Sequence, residues 1–324
     1  YKRQVPIISI SGIFLSYFNQ QKRYKLLISN GINPVKAANI IFSIPEVTKP
    51  NLLKIIGSIF YVIFTLLVGT SKMALSQEIV FVGSFMIILF LLFKLSNELD
   101  ANAKKMLIGT AIIIFVFRAM PGVGQGGSWF EIDVLGFDQE FLSLLGLIAS
   151  FLTILGIFVL RPLMEKSSMT RLIVILSIAG SFFILPSIAM FYGFHEFTSK
   201  LTNGLVDARF IAIFNTALES PLGQVSMIPI LAWIAQSAPN HLKATFFAVL
   251  ASFTNLALSA SNLGTKYLNQ IYVITREVKN DLGIIKTPAD YSELGILLII
   301  VCALTLIIPI LVTYIVKKLK LLSY

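Results

Sequence analysis

The sequence predicts an all-α, polytopic transmembrane bundle, and three observations carry that prediction. Of the 324 residues, 56% are hydrophobic and only 13% are charged, where a soluble chain carries about 25% charged residues. The mean hydropathy is +0.84. The apolar residues gather into runs close to the roughly 20 residues that cross a bilayer, with polar connections between them. This length suits one or two soluble domains, but the runs leave too little polar surface to cover them.

Taken in order, residues 5–19 form a short apolar segment, expected as the remnant of a span. The chain opens Tyr-Lys-Arg-Gln, without an initiating methionine or a signal-peptide pattern, so further sequence is expected upstream of Tyr1. Residues 20–53 are polar and contain Pro34, Pro45 and Pro50; they predict a loop with a short surface helix from Val35 to Phe42. Spans are then expected at 54–71, 79–96, 106–121, 140–160, 172–194, 208–237, 244–264 and 291–316.

Two of these spans carry breaking signals. GVGQGG at 122–127 follows Pro121. It lacks the Gly-Lys-Ser/Thr and the preceding strand of a phosphate-binding loop, and instead predicts a broken helix whose freed backbone groups line a water-filled cavity. Pro221 and Gly223 weaken the 208–237 span and predict a bend there.

Charge sets the orientation. The net charge is +10, and sixteen of the 26 Lys and Arg residues lie in 20–54, 94–105, 161–171, 238–243 and 317–324, against seven in the alternate connections. Cytoplasmic connections carry such an excess, so a cytoplasmic C-terminus is expected, and no nucleic-acid partner. Cys302 is the single cysteine and there are two histidines. No disulfide framework within the chain, metal site or cofactor is therefore expected. A membrane-embedded transferase needs a polar catalytic cluster at one interface; none is legible, and no enzyme is expected.

Three polar groups stand inside the expected spans. Arg118 is about 12 residues into its span, or roughly 18 Å; Glu219 and Asn255 are also at mid-depth. A charge there costs about 2.5–3.5 kcal/mol on insertion scales and faces a partner or a cavity. Arg118 and Glu219 therefore form either a structural clasp or part of a solute site. Asn215 and Glu219, at i and i+4, share a helix face.

Four blocks in order carry a resemblance. The first is Phe117 to Leu160, with Pro121, Trp129-Phe130, Leu135-Gly136-Phe137 and Glu140-Phe141. The second, 204–239, has Asp207, Phe210, Glu219, Gln224, Met227 and Pro229. The third, 243–268, has Ala244-Thr245, Ser252, Asn255 and Leu263-Gly264, and the fourth is 290–310. Together they resemble helices seven, eight, ten, eleven and twelve of the folate-biopterin transporter family, a branch of the major facilitator superfamily. One departure is Asn215, where members often carry an aspartate.

The resemblance implies a C-terminal six-helix bundle over 106–324 and, over 1–105, the remnant of an N-terminal bundle of which much is missing. It implies a secondary active transporter of a small solute, most simply a folate or pterin, working by alternating access with proton coupling. Arg118, Gln125, Trp129, Asn215, Gln224 and Asn255 then contact the solute and Glu219 carries the proton. Trp129 and Phe130 either stack on a flat heterocycle or sit in the interfacial aromatic belt. In the connection 161–171, Arg161, Lys166 and Arg171 hold the place of a basic gate and pair with Glu165, or form an ordinary cytoplasmic loop. The same fold with another solute, such as an amino acid, nucleoside or sugar phosphate, remains the alternative. The partners implied are the solute, the lipid bilayer and the missing N-terminal bundle.

Overall fold

The computed structural model describes residues 18, 20–37, 52–71, 73, 75–223, 225, 227–237, 243–279 and 285–321, with backbone alone at 52–58, 235–237 and 243. Contacts divide the chain into two units, Tyr1–Leu67 and Val68–Tyr324.

In the first unit, residues 20–29 are helical, a correction to the loop expected over 20–53. Lys22, Arg23, Lys25, Leu26 and Leu27 are good helix formers, and no proline lies between residue 20 and Pro34. A second helical turn covers 34–37, where Asn33 Oδ1 accepts from the Val35 amide at 2.9 Å; the rest of the Val35–Phe42 helix and most of 5–19 lie outside the described residues. Helix α1, Leu52–Gly69, follows.

The second unit contains the bundle. Its helices are α2 (Ser76–Ser96), α3 (Ala101–Arg118), α4 (Gln125–Asp133), α5 (Gln139–Val159), α6 (Arg161–Lys166) and α7 (Met169–Phe191). Then come α8 (Phe194–Leu201), α9 (Ala208–Glu219), a 3₁₀ turn (Ser220–Leu222), α10 (Met227–Ser237), α11 (Lys243–Ile271) and α12 (Leu294–Lys318). Polar side chains in the connections fix several starts by accepting an otherwise orphaned backbone N–H. Asp100 caps α3 through Ala103 at 2.6 Å, Asp138 caps α5 through Phe141 at 2.8 Å, and Asp207 caps α9 through Phe210 at 2.8 Å.

Among the described residues five helices are long and apolar enough to cross a membrane: α2, α5, α7, α11 from Ala244, and α12. Their outer faces keep large apolar side chains in the open; Phe158 on α5 is 73% exposed. Such contiguous apolar surface suits lipid and not water. The chain is a multi-pass integral membrane protein.

α12 lies along α7 and against α3, α11 packs on α2, α3 and α10, and α5 packs on α9 and the 3₁₀ turn. Small residues let the backbones approach, as they do where helices meet in lipid. Gly295 on α12 sits where any Cβ would collide with the Phe191 and Tyr192 side chains of α7 and its C-cap. Deeper along the same pair, Ser181 Oγ donates to the Cys302 carbonyl at 3.2 Å.

One end of the bundle is filled by Leu107, Ile114, Ile234, Phe246, Leu250 and Val316. At the other end Phe130, Ile274, Leu294 and Leu297 pack together. An ionic latch closes that second end. Arg276 grips the Asp133 carboxylate with two nitrogens, at 2.8 and 2.7 Å, and Tyr291 Oη donates to it at 2.6 Å. The latch holds an excursion the sequence reading lacks, an antiparallel pair of short strands, β1 (Val278–Lys279) and β2 (Ile285–Thr287).

Three expected spans are redrawn. The span at 106–121 begins earlier and ends at Arg118, because the residue ahead of a proline is pushed out of the helical region and Pro121 with two glycines follows. The span at 208–237 is two helices around a turn. The span at 244–264 runs on to Ile271, so Lys266 stands on a helix and not in a connection.

Candidate functional site

Two helix breaks organise the polar interior of the bundle. The first separates α3 from α4. Residues 120–124 lie outside any helix, and Gly124 takes φ +79°, a conformation that favours glycine. α11 binds three of the freed backbone groups, while Gly124 lines a pocket. Ser261 Oγ donates to the Met120 carbonyl at 2.6 Å, Thr265 Oγ1 accepts from the Gly122 amide at 2.8 Å, and Asn269 Nδ2 donates to the Val123 carbonyl at 3.1 Å. These three residues recur every fourth position, so they line one face of α11. Each rung satisfies a group that would otherwise face a low-dielectric surrounding unpaired.

Beside this ladder lies a pocket of about 660 Å³, lined by Ser76, Gln77, Gly124, Gln125, Asn262, Thr265, Lys266 and Asn269. Lys266 Nζ meets Glu78 Oε1 of α2 at 2.6 Å, and Tyr267 Oη donates to the same oxygen at 2.8 Å.

The second break follows Glu219. Pro221 has no N–H to continue the α9 ladder, and the chain passes through the 3₁₀ turn before α10. This break rests on α5: Thr153 Oγ1 donates to the Ser220 carbonyl at 2.9 Å. Gly156 lies so close to Pro221 that a Cβ there would stand 2.5 Å from the Pro221 Cα. A pocket of about 430 Å³ lies alongside, lined in part by Gly146, Thr153, Thr216 and Glu219.

The sequence-predicted residues fall at separate places around these breaks. Gln125 opens α4 and lines the first pocket. Trp129, four residues on, packs against the apolar cluster around Phe130 and Leu294. Arg118 is the last residue of α3, about 25 Å from Ala101 at 1.5 Å per residue. It stands at the first break, half-buried with its Nε unpartnered among the described residues. Glu219 ends α9 at the rim of the second pocket, with Asn215 one turn before it. No ion pair joins Arg118 to Glu219 among the described residues. Gln224 lies outside the described residues.

Asn255 is exposed on α11, and it belongs to a stripe. Ser252, Asn255, Ser259 and Asn262 are all exposed, and Lys266 follows at the same spacing. Steps of three and four residues keep the five on one helix face. An apolar span that presents hydroxyls, amides and an ammonium along one side turns that side to water or protein and not to lipid tails.

Arg161, Lys166 and Arg171 flank α6. Arg161 Nε meets Glu165 Oε1 at 2.7 Å, with both side chains exposed. That pair is one turn apart on a single helix, so in this conformation it joins no two elements. Outside the spans, the Arg276 and Tyr291 hydrogen bonds hold the Asp133 carboxyl below the usual carboxylate range, and the Phe141 amide, then Arg209, do the same for Asp138.

Sequence reasoning missed Ser261, Thr265 and Asn269, and with them Thr153, Glu78 and Lys266. The fourfold spacing of the first three within an apolar helix was the available signal; no spacing announces Glu78 and Lys266, which lie 188 residues apart.

Comparison with known proteins bears on these residues. The profile of the BT1 family matches residues 52–323. A protein described as a folate-biopterin transporter, from Synechocystis sp., is 21% identical over 158 residues, 49% of this chain. The matched stretch spans 31% of that relative's length. No solved structure matches.

Proposed function

The chain belongs to the BT1 family, and on that premise we propose that it is the C-terminal bundle, with part of the N-terminal one, of a secondary transporter that moves a folate or pterin. The observation that carries the reading is the pair of broken helices inside an otherwise apolar bundle, each beside a pocket lined in part by polar side chains. Secondary transporters bind solute near the midplane at such discontinuous helices and rock two bundles about it. The name of the Synechocystis relative supports the solute class.

In this reading the polar face of α11 turns toward the solute pathway, with the division between bundles near residue 105. Gln125 and Asn255 supply hydrogen bonds, as do Asn215 and Gln224, while Arg118 attracts an anionic group. Trp129 helps to position the aromatic ring from the cluster behind the first pocket. Glu219, at the break beside the second pocket, takes up and releases the coupling proton. Arg161, Lys166 and Arg171 lie on the cytoplasmic side with the C-terminus, where they gate the pathway in another conformation; the basic excess of those connections supports this orientation.

The test is uptake of labelled folate and biopterin into vesicles containing the full-length protein, with and without an inward proton gradient. Gradient-dependent accumulation of either supports the proposal. Accumulation of an amino acid, nucleoside or sugar phosphate and of neither pterin overturns the solute assignment.

A further inference from the structure

The pocket beside the first break has features beyond the Gln125 that the function above uses. Three of its lining side chains, Gln77, Gln125 and Asn262, are exposed amides. Lys266 stands among them with one of its three N–H groups directed at Glu78. The pocket also contains the start of α4, whose N-cap is Gly124 and which receives no side-chain cap. The first-turn N–H groups of a nine-residue helix therefore lie uncapped at its wall, and such a terminus carries partial positive charge. Asn269 approaches within 2.9 Å of where a Gly124 Cβ would stand, so only glycine lets the wall close this tightly. A volume of about 660 Å³ lies within the roughly 300–1,000 Å³ of small-molecule sites.

The counter-charge is held at the rim. Glu78 Oε1 accepts from both Lys266 and Tyr267, while its Oε2 is buried and unpartnered among the described residues. Lys266 has two further N–H groups, which the ion pair leaves for a ligand.

The geometry points to an anion subsite: Lys266 and the N-terminus of α4 bind a carboxylate of the solute, which shares Lys266 with Glu78. Gln125 and Asn262 hydrogen-bond the polar atoms next to that carboxylate. The inference rests on the transporter reading for the solute's identity alone, because cavity, lysine and helix terminus select a carboxylate whatever it is attached to. It predicts that solutes with and without a carboxylate use the same pathway and differ at this pocket.

The experiment compares three probes on the full-length protein: glutarate, a bare dicarboxylate; folate, which carries carboxylates; and biopterin, which carries none. Binding is read from the ligand-dependent rise in melting temperature, and uptake is measured separately. In Lys266→Gln, half-saturation for glutarate and folate rises about tenfold, as the loss of one charge-assisted hydrogen bond implies, and biopterin is unaffected. Lys266→Arg retains carboxylate binding, and Glu78→Gln, which frees Lys266, binds both carboxylates more tightly. Gln77→Glu sets a negative charge at the exposed wall of the pocket without replacing either member of the ion pair and gives the same selective loss, so the test survives if Lys266→Gln does not fold. Equal weakening of biopterin, or unchanged glutarate binding in both Lys266→Gln and Gln77→Glu, overturns the subsite. Carboxylate-selective effects without uptake of either pterin leave the subsite standing and remove the pterin assignment. Pterin uptake with carboxylate-blind variants does the reverse.

Discussion

The contact between Gly156 and Pro221 offers a test in which one helix supplies both the perturbation and its control. At Gly156 an added Cβ would stand 2.5 Å from the Pro221 Cα and 2.7 Å from its carbonyl carbon. Those are backbone atoms of a turn fixed by proline, so no side-chain rotation relieves the clash. Ten residues earlier on α5, Gly146 has nothing within 4 Å of its Cβ position. Both Gly→Ala changes gain the same intrinsic helix preference, about 0.5–1 kcal/mol. Only Gly156→Ala also carries overpacking, about 1–3 kcal/mol. The difference between the two variants isolates the contact, and it amounts to roughly 5- to 150-fold in the folded-to-unfolded ratio. Reversible unfolding in mixed detergent–SDS micelles, followed by tryptophan fluorescence, measures it. We expect Gly146→Ala to match or exceed the wild type and Gly156→Ala to fall below it. Equal stability of the two alanine variants would refute the close approach of α5 to the second break.

Further expectations follow from other residues. Glu219→Gln should abolish proton-driven accumulation while sparing part of solute exchange, because the amide still hydrogen-bonds but releases no proton; wild-type coupled uptake in this variant would eliminate the coupling role. Asp133 titrates below its ordinary range, so the latch is at full strength above about pH 4 and weakens as pH falls through the depressed value. Hydrogen exchange should accordingly show 275–279 and 285–290 loosening in acid in the wild type and already loose at neutral pH in Asp133→Asn; equal protection in both proteins at pH 7 counts against the latch. With Cys302 replaced, cysteines at Ser168 and Lys279 should label from opposite faces of the membrane, and labelling from one face removes the proposed orientation. Thr265→Val should destabilise by about 0.6–2 kcal/mol, the range for a hydrogen bond between helices in a membrane, whereas Thr198→Val on α8 reports only a local cap.

The spans were legible because lipid imposes a length on apolar runs, and α2, α5, α7 and α12 follow the expected segments to within a few residues. Local breaking chemistry was legible too: Pro121 with its glycines and Pro221 each interrupt a helix. Boundaries were less so. Lys266, Asn269 and Gln270 dilute the last turns of α11 before Ile271, and hydropathy sees polarity at a helix end as a loop. The fate of the freed backbone was not legible at all. A broken helix predicts unpaired groups, but whether water or Ser261 takes the Met120 carbonyl depends on which helix the fold brings alongside. The same limit applies to Arg118 and Glu219: burial cost argues that each needs a partner, yet it does not identify one, and here they stand at different breaks.

The ladder from α11 to the first break also imposes an order on biosynthesis. Gly122 and Thr265 are 143 residues apart, and a ribosome adding about 5–20 residues per second needs roughly 7 to 30 s to cover that interval. Throughout it α3 has been made and its exit turn exists, but the hydroxyls and amide that satisfy Met120, Gly122 and Val123 have not. The nascent chain must keep that turn in water, or against the insertion machinery, until α11 enters. A substitution at Ser261, Thr265 or Asn269 therefore prolongs a vulnerable interval during synthesis as well as weakening the finished bundle, and reduced yield in cells is expected to exceed the loss of stability measured in detergent.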